Sequence, residues 1–358
     1  MSERHRARDI TLRQMSAKIA EAPAARGRVL VVPDSFKGTH SAVHVADAIG
    51  RGLRAAGLEV DLCPAADGGE GTLDALAEAL DAERLTVTVT DPLGRPVEAS
   101  FGMREDLAIV ETAAASGLQL VDPAERNAVG SSTAGTGQLI AAVVQAGART
   151  IYLGVGGSAT TDGGWGAVRA IRRAGGLRGA RLTVLCDVST PFEEAAEVFA
   201  AQKGATQREV KELSIRLHTL AASYPRDPRG LRMGGAAGGL AGGLWAALDA
   251  ELVRGAPFVL NAIDFNNRLE AAQFVVTGEG KLDSQSLEGK LVSEVARQAR
   301  AVGVPVYAIV GRHALETGET QSMGISQVIE ASTLQEIETA AFAIGAGGHS
   351  HHQHASFG

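Results

Sequence analysis

From Arg28 onward, short β-branched runs alternate with longer alanine-rich stretches whose apolar residues recur roughly every 3.6 positions. That alternation of periods predicts βαβ units around a mostly parallel sheet. Arg28–Val32 predicts a strand, and His40–Ala56 a helix with Val43, Ala46, Ile49 and Leu53 on its apolar face. Glu59–Cys63 predicts the next strand, and the Gly-rich loop Ala65–Gly71 opens a helix from Thr72 to about Leu80. The texture then changes: Leu85–Thr90 and Val97–Phe101 flank the turn residues Asp91-Pro92-Leu93-Gly94-Arg95-Pro96, an antiparallel hairpin. With the strand Leu107–Glu111 this marks entry into a second lobe.

The α/β alternation resumes with helices over Gly137–Ala146, Asp162–Ala174 and Glu209–Ala222 and strands at Thr150–Leu153 and Leu182–Cys186. Met233–Gly243 is so rich in Gly and Ala that close backbone packing or a ligand is implied. Phe274–Val276, the loop Thr277–Lys290, the helix Leu291–Val302 and the strand Val306–Val310 return to the texture of the first lobe. The expected class is therefore α/β, two lobes with mostly parallel sheets, the second inserted in the first. The expected boundaries are an N-terminal extension over 1–27, a first lobe over 28–84 and 270–344, a second over 85–269, and a flexible His-rich tail over 345–358 (GAGGHSHHQHASFG).

Composition narrows this picture. The chain has 358 residues, enough for two lobes around a cleft, and 45% hydrophobic but only 4% aromatic residues, so Ala, Val, Leu and Ile must build the core. A formal net charge of −7 argues against a nucleic-acid groove, which needs a basic footprint. A nucleotide needs only local cations and backbone N–H groups. Cys63 and Cys186 are far apart and read as reduced residues at strand ends. No run reaches the length of a membrane span, and the charged N-terminus, with Arg4, Arg6, Arg8 and Arg13, lacks the apolar core of a secretory signal. A cytoplasmic protein is expected.

Five loops after predicted strands carry the candidate chemistry, at the edge where open parallel sheets bind ligands. In Pro33–Thr39, Asp34, Ser35 and Lys37 precede a helix start, an arrangement that suits an anion but is also an ordinary N-cap with a solvated lysine. Asp67-Gly68-Gly69-Glu70-Gly71 places two carboxylates in a glycine turn, suited to Mg²⁺ or to substrate hydroxyls. Gly154–Gly164 offers bare N–H groups and hydroxyls, Gly156, Gly157, Ser158, Thr160 and Asp162 among them, as a polyphosphate requires. Asp187 is a single carboxylate at a strand end. The last loop runs Gly278-Glu279-Gly280 through Asp283 to Lys290.

Each loop alone could be an ordinary turn. Gly154-x-Gly156-x-x-Ala159, with Asp187 ending the next strand, also meets the relaxed dinucleotide fingerprint, so an NAD-dependent hydroxy-acid dehydrogenase is an alternative. No P-loop motif occurs.

PDSFKGT, ADGGEGT, DPLGRPV, ETAAASGLQLV, LGVGGSATTDGG, CDV, QKGAT, GAAGGL and VVTGEGKLDSQSLEGK occur in that order, and together they closely resemble the type I glycerate kinase family. The likeness spans about Arg28 to Gly311. The chain differs from the family in its first 26 residues, in a shorter segment (STPFEEAAEVFAA) between Asp187 and Gln202-Lys203-Gly204, and beyond Gly311. The resemblance implies an active site in the cleft between two lobes and ATP- and Mg²⁺-dependent conversion of D-glycerate to 2-phosphoglycerate. A non-catalytic glycerate- or nucleotide-sensing protein is the further alternative. Under the kinase reading Asp187 deprotonates the acceptor hydroxyl, and Lys37 with the backbone at Ser35 neutralises phosphate. The Gly156–Asp162 loop cradles nucleotide or substrate carboxylate, Asp67 and Glu70 hold Mg²⁺ or hydroxyls, and Asp283 with Lys290 closes the site. Oligomeric state is not set by the sequence.

Overall fold

The computed structural model describes residues 27–36 and 38–352. The N-terminal extension up to residue 26, Lys37 and the last six residues lie outside the described residues. The chain divides into two compact units, Met1–Ala66 with Val259–Gly358, and Asp67–Phe258.

The first unit opens with β1 (Arg28–Pro33), α1 (Ala42–Ala55) and β2 (Val60–Leu62). β1 is buried over five consecutive residues, as its interior place between β9 and β2 in a five-stranded, wholly parallel sheet requires. Ser41 caps α1, its Oγ accepting from His44 N–H at 3.3 Å. Ala42, Val45, Ala46, Ile49 and Leu53 face inward, whereas Val43, expected on that face, is exposed.

The second unit begins with α2 (Thr72–Leu80), β3 (Glu83–Thr90), β4 (Pro96–Arg104) and β5 (Leu107–Glu111). It continues through α3 (Ala113–Ser116), α4 (Ala134–Gln145), β6 (Thr150–Gly154), α5 (Trp165–Arg173) and β7 (Arg181–Cys186). It ends with α6 (Ala195–Phe199), α7 (Gln207–Ala221), α8 (Ala236–Leu248) and β8 (Glu251–Arg254). Its six strands lie in chain order: β3, β4 and β5 pair antiparallel, and β5 to β8 are parallel. The hairpin turn is locked by Asp91, whose Oδ1 accepts from the N–H groups of Leu93 and Arg95, both at 2.8 Å. The unit starts at residue 67 rather than near 85 because α2 packs on β4 and β5.

Gly-rich α8 is kinked, with left-handed backbone at Ala237, Gly238 and Gly239. A Cβ on Gly238 would lie 2.0 Å from the Thr160 carbonyl oxygen, so the glycines of Met233–Gly243 serve close backbone packing. Fully buried Phe192 fills the space that Gly239 and Gly242 leave open, and anchors the shortened segment after Asp187.

The chain returns through α9 (Gly255–Ala262) and α10 (Phe265–Glu270) to β9 (Ala272–Glu279). There follow α11 (Leu291–Ala301), β10 (Val306–Val310), α12 (Thr317–Met323), β11 (Gln327–Glu330) and α13 (Leu334–His352). Sheet order in this unit is β11-β10-β9-β1-β2. Over 345–352, within the expected tail, the chain continues α13; Gly345 is buried beside Ala56 and Leu58. Ile337, Ala340, Ala341 and Ile344 pack this helix onto α1, and Arg51 pairs with Glu338 at 2.7 Å. Among the described residues no helix is long and apolar enough to cross a membrane, and both cysteines are buried and outside any disulfide.

At the α1–α13 crossing a Cβ on Gly52 would lie 2.1 Å from the Glu338 carbonyl oxygen. Gly52→Val should therefore lower stability by about 1–3 kcal/mol in urea denaturation, overlap outweighing any gain in helix propensity. An unchanged or raised midpoint would contradict this packing.

Candidate active site

In the second unit the carboxyl ends of β5, β6 and β7 lie side by side, with Glu111 opposite Gly154 and Gly154 opposite Leu185. The strand ends bring three of the candidate loops together. Val155 N–H donates to the Gly68 carbonyl at 2.8 Å, tying the Asp67–Gly71 turn to the loop after β6. A Cβ on Gly156 would lie 2.4 Å from Gly69 Cα and 3.4 Å from Asp187 Oδ2. A Cβ on Gly68, where φ is +99°, would lie 2.7 Å from the Leu185 carbonyl oxygen. The glycines of the two turns are thus obligatory: they bring two backbones into contact beside one carboxylate.

Asp67 is buried and its Oδ1 accepts from Gly69 N–H at 3.0 Å, while Glu70 is half-buried. Ser158 pairs with Gly117 in an isolated antiparallel bridge, and the Gly157 carbonyl accepts from Leu118 N–H at 2.8 Å. The loop therefore rests on the α3 segment. Thr160 Oγ1 and Thr161 Oγ1 are buried without a protein partner, as is Thr112 Oγ1 after β5. Asp162 is committed to the scaffold: its carboxylate accepts from Thr133 N–H and Oγ1 and from the N–H groups of Gly164 and Gly166, at 2.9–3.1 Å. These bonds fix the entry into α5.

The residue pattern singled out neither Lys203 nor Glu111. Lys203 is buried, and its Nζ donates to Ser158 Oγ at 2.9 Å and to the Thr160 carbonyl at 2.6 Å. The short segment after Asp187 folds into helical turns that deliver it there. Desolvation pushes its ammonium down to about 7, against the opposing pull of Asp162 and Asp187. Glu111 ends β5, and its Oε1 accepts from Leu73 N–H at 2.6 Å at the start of α2. The residue keeps some exposed surface, but its carboxyl is desolvated, which together with Asp74 and Glu70 raises it to about 7 despite the helix N–H groups. Both sit in the family-like strings QKGAT and ETAAAS, yet single residue types gave no sign of burial.

In the first unit Asp34 and Gly278 are neighbours, Asp34 N–H donating to the Gly278 carbonyl at 2.8 Å. Asp34 Oδ1 accepts from Ser35 N–H at 2.7 Å, and Ser35 Oγ is buried without a protein partner. Glu279 is buried, and Gly280 packs against Gly311. Asp283 lies further along: burial opposes its ionisation, but hydrogen bonds from Lys281 Nζ and Gln285 N–H hold it below the usual carboxylate range. Lys290 Nζ donates to Gln285 Oε1 at 3.3 Å, joining the same group. Lys37 lies outside the described residues.

The dinucleotide alternative finds no support in this geometry. A pyrophosphate-binding fingerprint needs its glycines to open a helix directly. Here α5 begins only at Trp165, and the N–H of Ala159 at the third fingerprint position donates to the Ser116 carbonyl at 2.9 Å.

Glycine turns, a strand-end carboxylate and a buried lysine meet at the carboxyl edge of parallel strands, which makes this an α/β protein with a chemistry suited to small anions. A sequence profile of the glycerate kinase family matches residues 29–175 and 173–350. Glycerate kinase of Bacillus subtilis (strain 168) is 38% identical over 340 residues, covering 83% of this chain and 88% of that protein. Glycerate 2-kinase of Escherichia coli (strain K12) is 34% identical over 345 residues, covering 86% and 91%. The crystal structure of a Salmonella typhimurium LT2 protein, provisionally described as glycerate kinase 2, superposes with a TM-score of 0.74 at 33% identity, covering 92% of this chain and all of that one. The chain belongs to the glycerate kinase family.

Glu111 gives a test of this geometry. The folded protein binds its proton more tightly than the unfolded chain, so its contribution is fully present below pH about 4.5 and is lost as pH rises through about 7. Glu111→Gln keeps an acceptor for Leu73 N–H without the charge. Its Tm relative to wild type should therefore climb between pH 5 and pH 8; a difference that stays flat or falls would refute the desolvated placement.

Proposed function

We propose that this kinase-family chain transfers the γ-phosphoryl group of ATP, with Mg²⁺, to the 2-hydroxyl of D-glycerate, giving 2-phosphoglycerate and ADP. The observation that carries this reading is the meeting of the Asp67–Gly71 and Gly154–Asp162 turns beside Asp187 Oδ2. Relatives named glycerate kinase and glycerate 2-kinase support the substrate and the position.

In the transfer the bond from the γ-phosphorus to the β-bridging oxygen breaks, one forms to the acceptor oxygen, and the hydroxyl proton must leave. Asp187, half-buried at the end of β7, takes that proton. N–H groups of the loop containing Gly156 and Gly157, with the hydroxyls of Ser158 and Thr160, bind oxyanion charge, while Asp162 holds the loop in shape. In the first unit Asp34, Ser35, Lys37, Gly278, Glu279 and Gly280 serve the nucleotide, and Asp283 and Lys290 steady their loop. Among the described residues no three acidic or histidine side chains form a metal cage. The Asp67–Glu70 pair, with Gly68 and Gly69 between, fits Mg²⁺, which keeps much of its shell as water and phosphate and neutralises phosphate charge when bound. Two buried cysteines outside any disulfide suit a cytoplasmic setting.

³¹P NMR of the product from ATP and D-glycerate tests activity and position together. A 2-phosphoglycerate resonance with stoichiometric ADP is expected; binding without ADP formation would point to a sensing protein instead. Asp187→Asn should lower kcat by about 10²–10⁴ and leave the KM for ATP near wild type. Turnover above roughly a third of wild type would remove Asp187 as the base. Lys37→Ala should reduce kcat/KM for ATP; an unaltered value would remove Lys37 from the site.

A further inference from the structure

We infer that Lys203 is the buried cation that receives an oxyanion of a bound reactant in the second unit, and that it gains a proton as that oxyanion arrives. The inference rests on the kinase reading only for the identity of the reactants, glycerate carboxylate or nucleotide phosphoryl.

Lys203 is 3% exposed, and both of its hydrogen-bond partners, Ser158 Oγ and the Thr160 carbonyl, are neutral. An ammonium carries three donors, so one N–H remains to be used. Burying a cation among neutral acceptors is costly unless an anion joins it. A brace between Ser158 and Thr160 needs no charge at all. Hydroxyls in the same loop are in the same condition: Thr160 and Thr161 are fully buried, and neither Oγ1 has a protein partner. Donors left over at one loop are what an incoming oxyanion would use.

The charged groups around Lys203 leave that role open. Asp162 and Asp187 act on it electrostatically, but neither carboxylate hydrogen-bonds its Nζ, and the Asp162 oxygens are taken by Thr133 and the start of α5. On α7, Arg216 donates to the carbonyls of Thr161 at 3.0 Å and Val129 at 2.8 Å, and Arg126 packs beside Gly204. On α6, Glu197 is exposed. Desolvation places the free amine near neutrality, so an arriving anion draws in a proton. The sign follows: an oxyanion that raises the midpoint binds best at low pH, and its affinity falls by up to about tenfold per pH unit above about 7.

The test is an NMR titration of the intact protein labelled with [ε-¹³C]lysine, the Lys203 resonance being assigned by its loss in Lys203→Arg. In the free protein the midpoint should lie near 7. It should rise by about one unit or more on adding D-glycerate alone, Mg²⁺ with a non-hydrolysable ATP analogue alone, or inorganic phosphate. The reactant that moves it identifies the oxyanion. A midpoint that no oxyanion moves, or one near the value of a solvated lysine, overturns the inference.

Kinetics give an independent arm. Lys203→Met should lose about 10²–10³ in kcat/KM at pH 8, with Lys203→Arg recovering much of it because guanidinium stays charged. Full activity in Lys203→Met also overturns the inference; if that variant does not fold, the wild-type titration decides. If no phosphoglycerate forms but inorganic phosphate still shifts Lys203, the kinase reading falls and this inference stands. If product forms while Lys203 is indifferent to every oxyanion, the kinase reading stands and this inference falls.

Discussion

Two turns in the second unit approach until neither accommodates a side chain, and the chemistry of that unit depends on the contact. Gly69 Cα occupies the space that a Cβ on Gly156 would need, and the Gly68 carbonyl is bonded by Val155 N–H. Such an approach is open only to residues without a Cβ, and at Gly68 also only to a backbone that tolerates positive φ. Once the turns touch, the rest is placed: Asp187 follows from the register of β6 and β7, and the loop beyond Gly157 is held over Ser116 and Gly117. The inner strands beneath them are closely packed, with Ile109, Val110, Ile151, Leu153, Val184 and Leu185 at zero exposure.

Electrostatic investment is concentrated at the same edge. Glu111 and Lys203, a desolvated acid and a desolvated base, both titrate near neutrality on loops or strand ends that reach the turns. Groups of this kind cost stability in the unliganded protein, and perturbed titration clusters at functional sites for that reason. Asp162 shows the opposite use of a carboxylate, with its hydrogen-bonding capacity spent on backbone and on Thr133.

The sequence displayed the strands and the glycine turns because both are written locally, in runs of β-branched residues and in glycines beside Asp, Ser and Thr. The antiparallel hairpin that gives the second sheet its mixed character followed from the same signals, whereas the order of the strands did not. What escaped depends on distant partners. Lys203 in a QKG string reads as a surface lysine until Ser158, 45 positions earlier, closes over it. Asp162 resembles a ligand until Thr133 is brought beneath it. Val43 lies at the flank of the α1 stripe and is exposed, while Val45 is buried, a distinction that spacing alone does not make. The helix Thr72–Leu80 joins the second unit through packing on β4 and β5, which no local pattern announces. The glycines of the C-terminal segment concealed the continuation of a helix whose earlier turns pack on α1.

The central claim is that the two touching turns and their neighbours are where reactants bind. Backbone hydrogen–deuterium exchange on the intact protein, with and without D-glycerate and Mg²⁺ plus a non-hydrolysable ATP analogue, addresses it directly. Slowed exchange is expected across Gly68–Gly71, Gly156–Asp162 and the peptides around Asp187 and Lys203. Unchanged exchange in those segments, with protection appearing instead on the outer faces of α4, α5 or α7, would contradict it.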